Sequence, residues 1–95
     1  MQVFLALPLI ANSTALNRAV ETNVAAPNRW KLQADRGWLI QFEGTTVELS
    51  SHLGLTGQAP GVPSPVGSAI VAPITGYYGR GPADMWEWLK TRFEL

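Results

Sequence analysis

The hydrophobic positions at the start of the chain predict a buried strand followed by a helix. Residues 1–9 are almost wholly apolar, which is typical of a strand covered on both faces, and Pro8 ends it because proline cannot donate to a ladder. In NSTALNRAVETNV the apolar residues recur at helical spacing, and Asn12 or Ser13 can cap the first turn. Pro27 ends this predicted helix.

The segment RWKLQADRGWLIQFEG alternates between apolar and polar residues on either side of a short turn. A period of two predicts an antiparallel hairpin with one buried face. The turn is Asp35-Arg36-Gly37, in which Gly37 can take the left-handed position. The apolar residues of the two arms, expected on one face, are Trp30, Leu32, Ala34, Trp38, Ile40 and Phe42.

A second helix and a long loop are predicted in the middle of the chain. TTVELSSHLGL contains a T-x-x-E capping box formed by Thr45 and Glu48, and Gly54 suits a left-handed C-cap. Residues 54–67 are rich in proline and glycine and show no periodicity, which predicts a loop. A loop of this length is either a solvated connector or part of a functional site.

The last part of the chain predicts an edge strand and a third helix. SAIVAPITGYY reads as a strand in which Pro73 requires an edge position or a bulge. Residues 82–94 follow as a helix that opens on Pro82. Trp88 lies about 115° from the centre of the apolar stripe of this helix, so either it flanks the core or a second subunit covers it. That stripe consists of Met85, Trp86, Leu89 and Phe93.

The predicted order of elements is β-α-β-β-α-β, followed by one more helix. This is the order of the ferredoxin-like fold, an α+β fold in which four antiparallel strands carry two helices on one face. In that layout the first strand is central and the fourth lies at an edge, which agrees with the apolar first strand and with Pro73 in the last. Residues 1–95 are therefore predicted to form a single small domain.

The order of elements and the chain length resemble the small CRISPR-associated endoribonuclease family, whose members are ferredoxin-like homodimers. The resemblance covers most of the chain and rests on element order rather than on motifs. That family carries an aspartate at the end of the first strand, paired across the dimer to hold a metal. This chain has LALPLIAN there, without an acidic residue. The resemblance therefore implies the fold and a tendency to form dimers, and it does not imply metal-dependent cleavage.

Composition indicates a surplus of apolar surface and no general attraction for nucleic acid. The hydrophobic fraction is 46% and the charged fraction is 15%, below the roughly 25% that is usual, so we expect a second subunit or partner to cover apolar surface. The seven basic and seven acidic residues cancel, which leaves no excess positive charge for a phosphate backbone. There is no cysteine, and the apolar run at residues 3–11 is too short to span a bilayer. We expect a cytoplasmic protein without a membrane partner.

The segment GYYGRGP, between the last strand and the last helix, is the strongest candidate for binding chemistry. Its glycines allow the backbone to approach a ligand closely. Arg80 can bind a phosphate through two hydrogen bonds, and Tyr77 and Tyr78 can stack on bases. A tight strand-to-helix turn explains the same glycines. Tyr77, Tyr78 and Arg80 are therefore the candidate ligand- or nucleic-acid-binding residues.

No convincing catalytic or metal-binding set is present in the sequence. His52 is the only histidine, and Ser50 and Ser51 do not face it along a helix. Glu48 is accounted for by its cap, and Asp84 by the first turn of the last helix, where negative charge is favoured. We therefore expect no catalytic residue, no metal and no cofactor, and an enzymatic function is less expected than a binding one.

Two functional hypotheses follow from these observations. The first is a non-catalytic binding or assembly module that forms a homo-oligomer, with Trp88 at the interface. The alternative is an RNA- or DNA-binding protein, a degenerate relative of a ferredoxin-like nuclease. Its candidate contacts are the two tyrosines together with Arg29, Lys31, Arg36 and Arg80. A small hydrolase or isomerase is a third class, disfavoured because acids and bases do not converge.

Overall fold

The apolar segment at the start of the chain forms the strand around which the others are arranged. Strand β1 (Gln2–Pro8) pairs antiparallel with β3 (Trp38–Phe42) on one side and with β4 (Ala69–Ile74) on the other. Strand β2 (Arg29–Lys31) pairs with the outer side of β3, so the order is β2-β3-β1-β4. Strand β1 is therefore internal and β4 lies at an edge, as the apolar run and Pro73 predict.

Three α-helices cover this sheet in the computed structural model, which describes residues 2–10, 12–76 and 78–93. Helices α1 (Thr14–Asn23) and α2 (Thr46–His52) pack on one side, the α1/α2 face, and α3 (Ala83–Phe93) packs on the other, the α3 face. The chain is thus a small α+β protein with a four-stranded antiparallel sheet. None of its helices within the described residues has the length and apolar content needed to cross a bilayer.

The α1/α2 face carries the larger part of the core. Phe4 of β1 and Ile40 of β3 point to this face and are fully buried against Leu16 and Val20 of α1 and Leu49 of α2. Each of these side chains contributes about 1.5–3 kcal/mol through removal of apolar surface from water. The helical spacing of the α1 residues and the alternation along the strands place them together here.

Trp38 joins three elements on the same face. Its side chain is buried, and its indole Nε1 donates to Oδ1 of Asn17 on α1 at 2.9 Å. The amide Nδ2 of Asn17 lies within hydrogen-bonding distance of Asp35 Oδ1, at 3.3 Å, in the turn that precedes β3. A buried tryptophan needs such a partner for its N–H group, and here the partner also fixes the position of α1 over β3.

The prediction that the hairpin buries only one face is wrong, because α3 supplies a second apolar layer. Trp30 pairs with Leu39 and lies on the α3 face, opposite Trp38 on the α1/α2 face. Leu39 and Ile40 are consequently both buried, although they point to opposite sides of the sheet. Leu89 is the buried centre of α3 and packs on this second layer.

The first arm of the predicted hairpin is shorter than its alternation suggested. Strand β2 ends at Lys31, and residues Gln33–Asp35 form a tight turn in which Ala34 and Asp35 have positive φ angles of 59° and 53°. An ion pair of 3.0 Å between Lys31 Nζ and Asp35 Oδ1 holds this turn. The turn removes Ala34 from the strand and directs the chain towards β3.

Local capping fixes the start of α2 as predicted. Thr45 Oγ1 accepts from the backbone N–H of Glu48 at 3.1 Å, and Glu48 Oε1 accepts from the N–H of Thr45 at 2.9 Å. The hydrogen bond from the backbone N–H of Thr45, with a smaller contribution from the Thr45 side chain, favours the ionised carboxylate and lowers the pKa of Glu48 below its usual value. Glu48 is therefore committed to the helix end, and its role is structural.

The segment between α2 and β4 contains no helix or strand, but it is anchored to the core. Val66 is buried in the α1/α2 face. Gln58 Nε2 and Ser64 Oγ both donate to the carbonyl oxygen of Gly54, at 2.8 and 2.9 Å. These contacts satisfy the carbonyl at the end of α2 and hold the loop against the helices.

Candidate functional site

The candidate residues of the GYYGRGP segment occupy different surroundings. Tyr77 lies outside the described residues. The side chain of Tyr78 is fully exposed to solvent. Arg80 precedes α3 and lines a cleft beside the end of β2, hereafter the Arg36/Arg80 cleft.

The Arg36/Arg80 cleft is formed where three segments of the chain meet. Its volume is about 530 Å³, within the range of small-molecule sites. One wall is apolar and is contributed by Trp30 and Leu32 from β2 and its continuation and by Met85 from α3. Arg36 from the turn before β3 and Arg80 from the segment before α3 supply the charged groups. A flat apolar group and an anion could both be accommodated here.

The charges around the cleft are unbalanced. Among the described residues, no acidic side chain lines it and neither Arg36 nor Arg80 forms an ion pair. The nearest acid in sequence, Asp35, is engaged elsewhere with Lys31 and Asn17. The hydrogen bond and the charge of Lys31 lower the pKa of Asp35, so its carboxylate stays ionised and paired. The cleft therefore presents positive charge without an internal counter-ion.

The structure brings together Arg36 and Arg80 but separates them from the other two predicted basic contacts. Arg29 Nη1 donates to the carbonyl oxygens of Val24 and Glu21 at the C-terminal end of α1, where a cation is favoured. Lys31 pairs with Asp35. Arg29 and Lys31 thus have structural partners outside the cleft.

The wall of the cleft contains an unfavourable backbone conformation. Ala34 lines the cleft with φ 59° and ψ 33°, in the left-handed region that L-residues other than glycine, asparagine and aspartate seldom occupy. Such a residue costs roughly 1–2 kcal/mol relative to ordinary backbone. Conformations of this kind are concentrated at functional sites, where the surroundings hold them in place.

Trp88, the predicted interface residue, has contacts within its own chain. It is half-buried against the cluster of Val3, Leu39 and Leu89, and its Nε1 donates to the carbonyl oxygen of Pro27 at 3.0 Å. The guanidinium of Arg92 lies 4.1 Å from the centre of the Trp88 ring and donates to the same carbonyl, and burial lowers the pKa of Arg92. These contacts fasten α3 to the turn before β2. An additional role for Trp88 between subunits stays a prediction.

His52 connects two helices. Its Nε2 lies 2.9 Å from the carbonyl oxygen of Asn23 and can donate to it, and its ring centre is 5.5 Å from that of Phe42. In the part of the chain that the structure describes, no group of three or more histidine or acidic side chains could hold a metal ion. His52 therefore links the end of α2 to the end of α1.

The free edge of β4 is a second candidate site. The N–H of Leu9 donates to the carbonyl oxygen of Ser68 at 2.9 Å, directly beyond the pair Pro8–Ala69. Hydrogen-bonded and non-hydrogen-bonded pairs alternate in an antiparallel ladder. The backbone N–H and C=O groups of Ala69 and Val71 consequently point away from β1. The backbone nitrogen of Pro73 points the same way, so its missing N–H removes no hydrogen bond between β4 and β1.

Apolar side chains lie beside this edge without cover from α3. Ile70 is 49% exposed and pairs with Leu7 on the α3 face, and Leu9 is 64% exposed. Neither Leu7 nor Ile70 belongs to the residues packed against α3. We call Leu7, Leu9 and Ile70 the β4-edge patch. An unpaired strand beside an apolar patch is a surface suited to strand addition.

Sequence reasoning identified the arginines but not the other walls of the cleft. Trp30 and Met85 were assigned to the core because their spacing fits a buried strand face and a helix stripe, and both are in fact half-buried. No sequence signal placed Trp30 and Met85 beside the arginines, because both residues fit the apolar pattern of their own segments.

No family model matches the chain, and comparison with the curated proteins and with the solved structures gave no match.

Proposed function

We propose that this chain is a non-catalytic binding and assembly module that forms a homodimer through the free edge of β4. The observation that carries the proposal is the position of the β4-edge patch beside the outward-facing backbone groups of Ala69 and Val71. The outward-facing N–H and C=O groups of such an edge have no partner within the sheet, so a second strand can pair with them without breaking existing hydrogen bonds.

A second copy of the chain fits this edge in one antiparallel register. With Ile70 opposite the Ile70 of the second copy, Ala69 faces Val71 of the other strand, and each can donate and accept a backbone hydrogen bond. Pro73 lies beyond this short ladder, so its missing N–H does not interrupt it. The arrangement is self-complementary about a two-fold axis, which is the commonest symmetry of homo-oligomers.

The same register covers exposed apolar surface. Opposing residues of a non-hydrogen-bonded antiparallel pair bring their side chains close together, so the two Ile70 side chains would bury each other. Leu7 and Leu9 of both copies extend this contact on the α3 face. Because the ladder is short, we expect a modest dissociation constant, about 1–100 μM.

The fold proposal is ferredoxin-like with an added helix on the second face of the sheet. Its support is the strand order β2-β3-β1-β4 together with the packing of α1 and α2 on one side. The resemblance to the small CRISPR-associated endoribonuclease family, whose members are homodimers, points the same way. The end of β1 reads Leu7-Pro8-Leu9 and carries no acidic residue, so we propose assembly without the metal-dependent cleavage of that family, in a cytoplasmic setting.

Sedimentation equilibrium on the wild-type chain and on Ile70→Lys tests the dimer. The wild type should sediment as a dimer at tens of micromolar, and Ile70→Lys should raise the dissociation constant at least about tenfold, because two ammonium groups would face each other. Val47→Lys is the matched control, since Val47 is an exposed apolar residue on α2 and does not belong to the β4-edge patch. It should leave the mass unchanged.

A wild-type chain that stays monomeric at several hundred micromolar would contradict the proposal. So would equal dissociation by Ile70→Lys and Val47→Lys, because the effect would then reflect added charge and not the β4 edge. Circular dichroism of both variants confirms that the fold is intact, which the exposure of both sites favours.

Nucleic-acid binding is the second candidate, and the meeting of Arg36 and Arg80 at one cleft favours it. Tyr78 is exposed nearby in sequence and is available for stacking on a base. Arg29 and Lys31 have structural partners, which leaves a short basic surface suited to a few nucleotides of a single strand. Failure of single-stranded RNA and DNA to bind at low salt would exclude this candidate, because electrostatic binding is strongest there.

A further inference from the structure

We propose that the Arg36/Arg80 cleft binds one nucleotide unit, with the phosphate held by the arginines and the flat base against the apolar wall. This inference does not rest on dimer formation, because the cleft lies beside β2, at the opposite edge of the sheet from β4. It names a site and a ligand for the second candidate function and also applies to a free nucleotide.

The charged groups of the cleft select an anion. Guanidinium groups bind phosphate oxygens through paired hydrogen bonds, and both arginines are exposed and without an ion-pair partner in the described residues. Asp84, on the first turn of α3, does not line the cleft, and its Oδ1 accepts from the N–H of Met85 at 3.1 Å. A phosphate would therefore meet two cations in the cleft and, from the part of the chain that the structure describes, no competing carboxylate.

The apolar wall selects a flat ring attached to that anion. Trp30 is half-buried, and Leu32 and Met85 lie beside it in the same cleft. Aromatic bases stack on indole faces and pack against thioether and aliphatic groups without needing specific hydrogen bonds. A simple inorganic anion would leave this wall unused, whereas a nucleotide would contact both the wall and the arginines.

The backbone around the cleft is shaped so that side chains do not fill it. Ala34, at a left-handed position, contributes only a methyl group to the wall. A Cβ atom on Gly81 would come within 2.6 Å of Met85 Cε, so a larger residue there would displace Met85 from the apolar wall. The small residues Ala34 on one side and Gly81 on the other therefore keep the cleft open.

The test is calorimetric titration of the full chain with adenosine and uridine 5′-monophosphate at low salt. We expect binding in the range of about 10–500 μM, weakened at least about tenfold by Arg36→Gln and by Arg80→Gln. Arg18→Gln, an exposed substitution of the same kind on α1 and outside the cleft, should leave binding unchanged. Inorganic phosphate and adenosine should each bind at least tenfold more weakly than the nucleotide.

A single-stranded oligonucleotide titrated in parallel distinguishes the source of the nucleotide unit. Affinity well above that of the mononucleotide, with the same loss in the two arginine variants, identifies a nucleic-acid strand as the ligand. Equal affinity identifies a free nucleotide, and both results support the site. The proposal is overturned if none of these probes binds up to millimolar concentration. It is also overturned if Arg18→Gln loses as much binding as the two arginine variants of the cleft, or if phosphate binds as tightly as the nucleotide.

Discussion

Replacement of Trp38 by alanine is expected to remove about 3–5 kcal/mol from the free energy of unfolding. The indole is buried between β3 and α1, and its loss leaves a cavity and deprives Asn17 Oδ1 of its donor. A domain of this size has a total stability of only about 5–15 kcal/mol, so the substitution should remove a large share of that stability and lower the urea midpoint strongly. Urea denaturation followed by circular dichroism measures the loss.

Trp38→Phe is the matched control. It keeps an aromatic ring in the core but removes the N–H donor to Asn17, so it should cost about 1–2 kcal/mol. Equal stability of Trp38→Ala and the wild type would show that Trp38 is not enclosed by α1, and the arrangement of the α1/α2 face would then be wrong.

Replacement of Gly37 by alanine should have the next largest effect, a loss of roughly 3 kcal/mol. Gly37 has a φ of 128°, and a Cβ atom there would lie 2.3 Å from the carbonyl oxygen of Ala6 on the neighbouring strand. The backbone of β1 or of the turn must move to relieve this overlap, which adds to the strain of the positive φ. The change should appear as a lower urea midpoint with a similar slope.

Gly61→Ala separates the effect of the steric overlap with Ala6 from the effect of the positive φ angle. Gly61 also has a positive φ, of 82°, but a Cβ atom there would meet no other atom within 4 Å. Its substitution should therefore cost about 1–2 kcal/mol from backbone strain alone. If Gly37→Ala were no more destabilising than Gly61→Ala, the close approach of the turn to Ala6 would be contradicted.

The elements with strong local signals could be predicted from the sequence. The unbroken apolar run gave an internal strand, Pro73 placed β4 at an edge, and the pair Thr45 and Glu48 marked the start of α2. In each case the signal resides in a few neighbouring residues and follows from backbone chemistry. Such signals do not depend on which other element packs against the segment.

The face on which each side chain is buried could not be predicted for the hairpin. Trp30 and Trp38 both stand at apolar positions of alternating segments, yet they lie on opposite faces. Their relative position depends on the pairing register of β2 with β3 and on α3, which follows β3 by some forty residues of sequence. Only the tertiary arrangement shows that both faces of the sheet are covered.

The candidate site was predicted only in part for the same reason. Arg36 and Arg80 are far apart in sequence, and their meeting at one cleft depends on the position of α3. Arg29 and Lys31 looked equivalent to them, but their partners are a helix end and Asp35. Which of several basic residues remains available to a ligand is a property of packing rather than of composition.

The chain contains no cysteine, so single cysteines can be introduced to test whether the exposed edge of β4 pairs with a second copy. A single cysteine introduced at a chosen position can form a disulfide only with its copy in a second chain. In the proposed dimer the two Ile70 Cα atoms face each other about 4.5 Å apart as a non-hydrogen-bonded pair, which suits a disulfide. The corresponding Ala72 positions would be about 14 Å apart, which is too far.

Disulfide formation by Ile70→Cys is therefore the most direct test of assembly through β4. Under mild oxidation at tens of micromolar, Ile70→Cys should convert largely to a covalent dimer on a non-reducing gel. Ala72→Cys, on the same strand face, and Val47→Cys, on α2, should remain mostly monomeric. Absence of the Ile70→Cys dimer, or cross-linking of all three variants at similar rates, would contradict the proposed β4 interface.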